Sequence, residues 1–153
     1  MKSILFRADS SIFIGSGHVM RCLTLADELK NNGCETLFLS RDLPGNNFEE
    51  IESRGHCLKI LTRPKVYFDK NNMNKNYVKW TERSQEDDAK EIINIFSGEK
   101  FFDWIVVDHY GLSYTWEVKM KSLTKNIFVI DDLVEKKHKC NLLLNHTNIP
   151  GIK

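Results

Sequence analysis

The sequence has no cysteine pattern of the kind that builds a disulfide framework or a zinc site. Its four cysteines are scattered, with no C-x-x-C pair and no nearby Cys/His cluster: Cys22, Cys34, Cys57 and Cys140. Small disulfide-rich domains and zinc modules depend on closely spaced cysteines. Cysteine is also one of the residues most often buried. We therefore expect four buried free thiols and no structural metal.

The sequence also lacks an excess of charge of either sign. It carries 22 basic and 21 acidic residues, a net charge of +1. Proteins that bind nucleic acids usually carry a strong positive field. We therefore expect no nucleic-acid partner.

Long hydrophobic runs are missing as well. No segment has the length and apolar character of a membrane span, and Met1 to Asp9 turns charged after three apolar residues, unlike a signal peptide. The 153 residues, of which 41% are apolar, are enough for one buried core. We expect a single domain over residues 1–153, a cytoplasmic location and no membrane partner.

Strand-like and helix-like segments alternate along the chain. Short apolar runs predict buried strands at 4–6, 36–39, 57–61, 104–107, 127–130 and 142–144. Helical spacing predicts helices at 19–33, 48–54, 84–98 and 113–123, the third of them capped by Ser84. The alternation predicts an α/β class protein, a Rossmann-like doubly wound fold with a mainly parallel sheet and helices on both faces. A polar excursion is expected from Pro64 to Arg83.

The first candidate site is the loop Gly15-Ser16-Gly17-His18, which lies between the first strand and the first helix. Ligands bind such sheets at the carboxyl ends of the strands. The glycines let backbone approach a ligand, and the start of a helix favours an anion nearby. The same positive helix end favours a neutral His18 ring that can accept a proton. A packing or capping role for His18 is equally compatible with the spacing.

Two familiar nucleotide motifs are missing from this loop. Met20 stands where G-x-G-x-x-G needs its third glycine, and there is no G-x-x-x-x-G-K-[ST] segment. We therefore expect neither a dinucleotide cofactor nor simple ATPase chemistry.

Polar side chains also follow the fourth and fifth strands. Asp108-His109-Tyr110 ends the fourth, and alternation along extended backbone predicts that Asp108 and Tyr110 point one way and His109 the other. A local role remains open, in which Asp108 caps the turn and Tyr110 packs. Asp131 and Asp132 end the fifth strand, and alternation favours one loop cap and one cleft residue over a paired acid and base.

Five segments in the same order carry a family resemblance: 6–11 (FRADSS), 15–22 (GSGHVMRC), 41–46 (RDLPGN), 107–111 (VDHYG) and 130–133 (IDDL). Together they resemble the UDP-2,4-diacetamido-2,4,6-trideoxy-β-L-altropyranose hydrolases of pseudaminic acid biosynthesis. That family is related in fold to the N-acetylglucosaminyltransferase of peptidoglycan synthesis. The resemblance implies the N-terminal half of a GT-B-type architecture.

The resemblance implies hydrolysis of a UDP-sugar at its anomeric carbon, without cofactor or metal. His18 matches the family's catalytic histidine, the proposed base for water. Tyr110 matches a tyrosine at the sugar site, and Gly15 and Gly17 match the anion-facing loop. The other candidate substrate-binding residues on the matched segments are Asp9, Ser16, Arg21, Asp108 and His109.

The family has a second, nucleotide-binding domain that is absent from these 153 residues. The implied partners are therefore the UDP-sugar and that domain, in cis or as a separate chain. We expect little turnover from these residues alone. Two alternatives remain: the acceptor half of a glycosyltransferase, in which His18 deprotonates a sugar hydroxyl, and a non-catalytic sugar-binding module.

Overall fold

The computed structural model describes residues 1–64, 83–98, 100–133 and 135–145. Its elements are β1 Ser3–Ala8, α1 Gly17–Asn31, β2 Glu35–Arg41, α2 Phe48–Ser53, β3 Cys57–Leu61, α3 Gln85–Phe96, β4 Phe102–Asp108, α4 Tyr114–Met120, β5 Thr124–Ile130 and β6 Leu142–Leu144. The polar excursion predicted from Pro64 to Arg83 lies, apart from its two end residues, outside the described ranges. Within those ranges, no helix combines the length and apolar character needed to cross a bilayer.

The strands form one six-stranded, wholly parallel sheet in the order β3-β2-β1-β4-β5-β6. The direction of winding reverses between β1 and β4, because β2 and β3 extend to one side of β1 and β4 to β6 extend to the other. This is the strand order of a Rossmann-like doubly wound fold, and the predicted fold class is confirmed. All strand carboxyl ends lie at one edge of the sheet.

Alternation along the strands divides the core into two layers. Leu5 belongs to a cluster with side chains of α3 and α4, whereas Phe6 belongs to a cluster with side chains of α1 and α2. Phe6 stacks on Phe38 of β2 with ring centroids 4.8 Å apart. Helices therefore cover both faces, as the sequence predicted. Burial of each such large apolar side chain contributes roughly 1.5–3 kcal/mol before entropy is counted.

Local sequence determines how the helices begin and which face they bury. The Ser84 Oγ accepts a hydrogen bond from the backbone N–H of Asp87 at 3.1 Å, so the predicted cap of α3 is confirmed. Helix α1 buries residues at helical spacing, among them His18, Cys22 and Ala26. His18 thus lies on the sheet-facing side of α1, close to its first turn.

The cysteines are all free, but their burial differs from the prediction. Cys22 is buried, Cys34 and Cys140 are half-buried, and Cys57 is exposed. The prediction was wrong for Cys57 because β3 is an edge strand whose residues, apart from Leu61, keep contact with solvent. Side chains of an edge strand have fewer neighbours to cover them, and a short apolar run does not reveal its place in the sheet.

The turn after β2 is held closely against the loop after β1. Gly45 has a φ of +84°, and a Cβ there would lie 2.7 Å from the backbone nitrogen of Ile12. That nitrogen donates to the Pro44 carbonyl at 2.9 Å, and the Ser10 Oγ donates to the Gly45 carbonyl at 3.2 Å. The two loops that border the first strand end therefore depend on a residue without a side chain.

Replacing Gly45 with Ala is expected to lower the free energy of unfolding by roughly 2–4 kcal/mol, because left-handed backbone strain adds to a backbone clash. Gly33→Ala is the matched control, since Gly33 has a φ of +88° but a Cβ at that position would meet no atom within 4 Å. It is expected to lose only about 1 kcal/mol. Urea unfolding measures both, and equal losses would contradict the close approach.

Candidate active site

The centre of the candidate site is a histidine and a carboxylate at the point where strand order reverses. His18 is the second residue of α1, and Asp108 is the last residue of β4. The His18 Nδ1 lies 2.5 Å from the Asp108 Oδ1. In a neutral ring Nδ1 donates to the carboxylate, which leaves the acceptor lone pair on Nε2. This arrangement is suited to proton abstraction by Nε2.

Arg21 holds the same carboxylate from the next turn of α1. Its guanidinium donates to both oxygens of Asp108, through Nη2 at 2.6 Å and through Nε, and its Nη1 donates to Asp132 Oδ2 at 2.6 Å. The hydrogen bond to Asp108, followed by that to Asp132, raises the pKa of Arg21 above its usual range. Arg21 is therefore a permanent cation that joins the ends of β4 and β5 and fixes Asp108 against His18.

Tyr110 packs against the His18 ring. The two rings meet edge to face, with centroids 4.5 Å apart and planes at 87°. Burial, followed by the negative charge of Asp132, raises the pKa of the Tyr110 phenol. Its hydroxyl therefore stays protonated at neutral pH and can donate a hydrogen bond. Lys136 donates a hydrogen bond to the Tyr110 backbone carbonyl.

His109 and Asp9 lie on the opposite face of the sheet from His18. His109 continues the side of β4 that carries Ile105 and Val107, and its Nε2 donates to Asp9 Oδ2 at 2.8 Å. The Gly111 N–H donates to His109 Nδ1 at 2.9 Å, so the ring is neutral. Burial lowers the pKa of His109 more than the Asp9 carboxylate raises it. The predicted separation of His109 from Asp108 and Tyr110 is confirmed.

Beneath this edge, on the side of α3 and α4, Asp9 is part of a fully buried ionic network. Arg7 donates to Asp9 at 2.5 Å and to Asp88 at 2.8 Å, and Arg41 donates to Asp88 at 2.5 Å. The indole of Trp116 also donates to Asp88, at 2.9 Å. Burial alone would raise the pKa of both aspartates, but Arg7 and their other partners hold the pKa values below the usual range. The pairing of Arg7, Arg41 and Asp88 was not predicted from the sequence.

Comparison with known proteins points to one curated relative. No protein-family model matches the chain. The chain is similar to a UDP-sugar hydrolase. Over 144 residues it is 31% identical to the UDP-2,4-diacetamido-2,4,6-trideoxy-beta-L-altropyranose hydrolase of Campylobacter jejuni, a match that covers 93% of this chain and 40% of that protein. The chain therefore spans about 40% of the length of this curated relative, and the likeness supports a relationship at the level of the hydrolase family.

The structure brings four of the predicted site residues together: His18, Arg21, Asp108 and Tyr110. The predicted loop Gly15-Ser16-Gly17 leads directly into α1, and Ser16 occupies the N-cap position without a capping side-chain hydrogen bond. Contact of these residues with a substrate stays a prediction. Contact of Asp9 and His109 with a substrate also stays a prediction. Their burial behind the strand ends favours a role in holding the loops in place.

The two carboxylates that follow β5 have separate partners. Asp131 Oδ1 accepts from the Leu133 N–H at 3.0 Å, which is a loop cap, whereas Asp132 binds Arg21. The predicted cap is confirmed for Asp131. Asp132 joins the candidate site through Arg21, and its place in a ligand cleft stays a prediction. Across the described ranges, no three or more His, Cys, Asp or Glu side chains are arranged to hold a metal ion.

Acid is expected to destabilise the fold in a range set by His109. The folded-state pKa of His109 lies below its ordinary value of 6.5, so below pH 6.5 the unfolded chain binds a proton that the folded chain does not. Stability therefore falls as pH drops below 6.5, with a slope of up to about 1.4 kcal/mol per pH unit from this group. The carboxylates whose pKa values are lowered, among them Asp9, Asp88 and Glu91, add to the loss below about pH 5.

Denaturant unfolding at a series of pH values measures this effect, with His109→Gln as the comparison. The Gln amide can still donate to Asp9 but does not titrate. The variant is expected to lose the slope between about pH 6.5 and 5, above the range in which the carboxylates contribute. An unchanged slope would show that His109 is not the group responsible.

Proposed function

We propose that this chain is the histidine-bearing part of a hydrolase that releases UDP from a UDP-linked diacetamido-trideoxy sugar. The observation that carries the proposal is the His18–Asp108 pair, with Tyr110 against the ring, at the sheet edge where such folds bind ligands. The similarity to the Campylobacter jejuni hydrolase supplies the substrate class.

In the proposed reaction a water molecule attacks the anomeric carbon of the sugar. One water O–H gives its proton to His18 Nε2 while the new carbon–oxygen bond forms. The bond from the anomeric carbon to the UDP oxygen breaks, and UDP leaves with the electron pair. Asp108 holds Nδ1 and stabilises the imidazolium that results. The proton then passes from His18 to solvent, which restores the base.

The neighbouring groups have complementary roles in this proposal. Arg21 holds the Asp108 carboxylate through both oxygens and so fixes the direction in which the His18 ring points. The protonated Tyr110 hydroxyl donates a hydrogen bond to the sugar. The N–H groups at the start of α1, reached through Gly15 and Gly17, face the negative charge that develops on the leaving group.

A further part of the proposal concerns the rest of a longer protein. The relative is about two and a half times as long as its matched region. We propose that a second domain holds most of the UDP and closes the site over the sugar. These 153 residues alone then turn over slowly, because positioning and exclusion of water supply much of an enzyme's rate.

The test is to incubate the full-length protein with UDP-2,4-diacetamido-2,4,6-trideoxy-β-L-altropyranose in ¹⁸O-labelled water, with no acceptor sugar. The proposal predicts rapid release of unlabelled UDP and a free sugar that carries ¹⁸O, read by mass spectrometry within minutes. Label in the UDP would mean attack at phosphorus and would contradict the proposed chemistry. Release only after an acceptor is added would favour a glycosyltransferase, and sugar binding without any turnover would favour a binding module.

A further inference from the structure

The loop between β5 and β6 contains a histidine enclosed by two carboxylates. The His138 Nδ1 lies 2.6 Å from Glu117 Oε2 of α4, and its Nε2 lies 2.6 Å from Asp131 Oδ2 at the end of β5. The Glu117 side chain is wholly buried, and the other two side chains are at most 10% exposed. We call these three residues the His138 clamp.

The geometry of the His138 clamp requires a charged ring. Each ring nitrogen faces a carboxylate oxygen, which only accepts, so both nitrogens must donate. Burial alone would lower the pKa of His138, but its hydrogen bonds to Asp131 and Glu117 raise it to about 9. The positive charge of Lys136 also acts on Asp131. The charges of Glu117 and Lys121 both act on the Cys140 thiol. The clamp is therefore an imidazolium between two carboxylates at neutral pH.

Three further contacts join this loop to the segment that carries Tyr110. The Lys139 N–H donates to Glu117 Oε1 at 2.6 Å, and the Tyr114 N–H donates to the Lys137 carbonyl at 3.0 Å. The Lys136 ammonium donates to the Tyr110 carbonyl. The clamp thus holds the loop on α4, and the loop in turn holds the backbone of the residue whose ring packs against His18.

We propose that His138 and Lys136 are positioning residues, in which the clamp fixes the loop and Lys136 then keeps the Tyr110 ring against His18. Neither residue touches the proposed reacting atoms. The consequence for turnover rests on the proposed function, whereas the consequence for loop and ring positions does not.

The first test measures position without activity. In the full-length protein, His138→Gln can donate to one carboxylate but not to both. We expect the amide protons of Tyr114 and Lys139 to exchange with solvent about tenfold or more faster, and the NMR signals of the His18 and Tyr110 rings to shift. His56→Gln is the matched control: His56 is also buried and paired, with Thr36 and Asp27, but at the amino-terminal edge of the sheet. Unchanged exchange and ring signals in His138→Gln would overturn the proposal.

Lys136→Met separates the fixing of the loop by the clamp from the holding of Tyr110 by Lys136. It keeps the clamp but removes the hydrogen bond to Tyr110, so the exchange of the Lys139 amide is expected to stay the same while the His18 and Tyr110 ring signals shift.

Both variants, His138→Gln and Lys136→Met, are expected to lower kcat by about 10- to 100-fold with little change in KM, because a small displacement near the reacting groups is enough. A hydrolase that retains full kcat in both variants would contradict the positioning role. If the parent protein does not hydrolyse the UDP-sugar at all, the proposed function fails, and the exchange and ring signals still decide this inference.

Raising the pH provides a test in the wild-type protein. The folded pKa of His138 is above its ordinary value of 6.5, so its contribution to stability is fully present below pH 6.5 and is lost as pH rises through about 9. The ring nitrogens of His138 are expected to titrate near pH 9 by NMR, together with faster exchange of the Tyr114 and Lys139 amides after correction for intrinsic rates. A His138 that titrates near 6.5 would contradict the clamp.

Discussion

Replacing His18 with Asn is expected to lower kcat of the full-length protein by about 10²- to 10⁴-fold, with little change in KM for the UDP-sugar. The Asn side chain has about the polarity and reach of the ring but no basic nitrogen, so the attacking water has no proton acceptor. Steady-state release of UDP measures the effect. It is the largest functional change that the site geometry predicts.

His56→Asn is the control for this experiment. His56, like His18, is a buried histidine paired with an aspartate: its Nε2 lies 2.7 Å from Asp27 Oδ1. It lies, however, at the opposite edge of the sheet. We expect lower stability and unchanged kcat in that variant. Full turnover by His18→Asn, with His56→Asn also active, would remove His18 as the base.

The second large effect concerns stability. Replacing Asp88 with Asn is expected to lower the free energy of unfolding by about 3–5 kcal/mol, roughly 10 °C in Tm for a chain of this size. Asp88 is fully buried and accepts hydrogen bonds from Arg7, Arg41 and Trp116. The neutral Asn amide removes one negative charge from beside the two buried guanidinium groups of Arg7 and Arg41. Its nitrogen also takes the place of a carboxylate oxygen and can no longer accept a hydrogen bond.

Asp87→Asn is the control, because Asp87 is the preceding residue of the same helix and its side chain is exposed. We expect it to lose at most about 1 kcal/mol, through a weaker interaction with the helix dipole. Differential scanning calorimetry measures both variants. Equal Tm values for the two would contradict the account of the buried network.

The fold could be predicted from the sequence because the spacing of apolar residues and the positions of turn-forming residues indicate the same strands and helices. The predicted bounds of the third and sixth strands coincide with β3 and β6, and the bounds of the other strands differ by at most three residues at either end. The place of each strand in the sheet was not predicted, since strand order depends on contacts between distant segments. The exposure of Cys57 on an edge strand is one consequence.

The candidate site could be predicted in part, for a similar reason. His18, Asp108 and Tyr110 follow from strand ends and from alternation, together with the resemblance. The partner of Asp132 could not be predicted, because Arg21 lies 111 residues away in the sequence. Arg7 and Arg41 were unexpected inside the core, since a charged side chain in a single sequence normally indicates solvent exposure. Only the three-dimensional structure reveals that Asp88 pairs with both.

The His138 clamp illustrates what a pattern search overlooks. His138 and Glu117 are separated by a strand and a loop, and neither lies in one of the five segments that carry the resemblance. Their burial and pairing are visible only when α4, the end of β5 and the following loop are assembled.

The most direct measurement of the central claim is a crystal structure of the full-length protein with UDP and the released sugar bound. The account predicts that the anomeric hydroxyl lies within hydrogen-bond distance of His18 Nε2, beside Tyr110 at the carboxyl edge of the sheet. A sugar bound with its anomeric carbon away from His18, or at the other edge of the sheet, would contradict it.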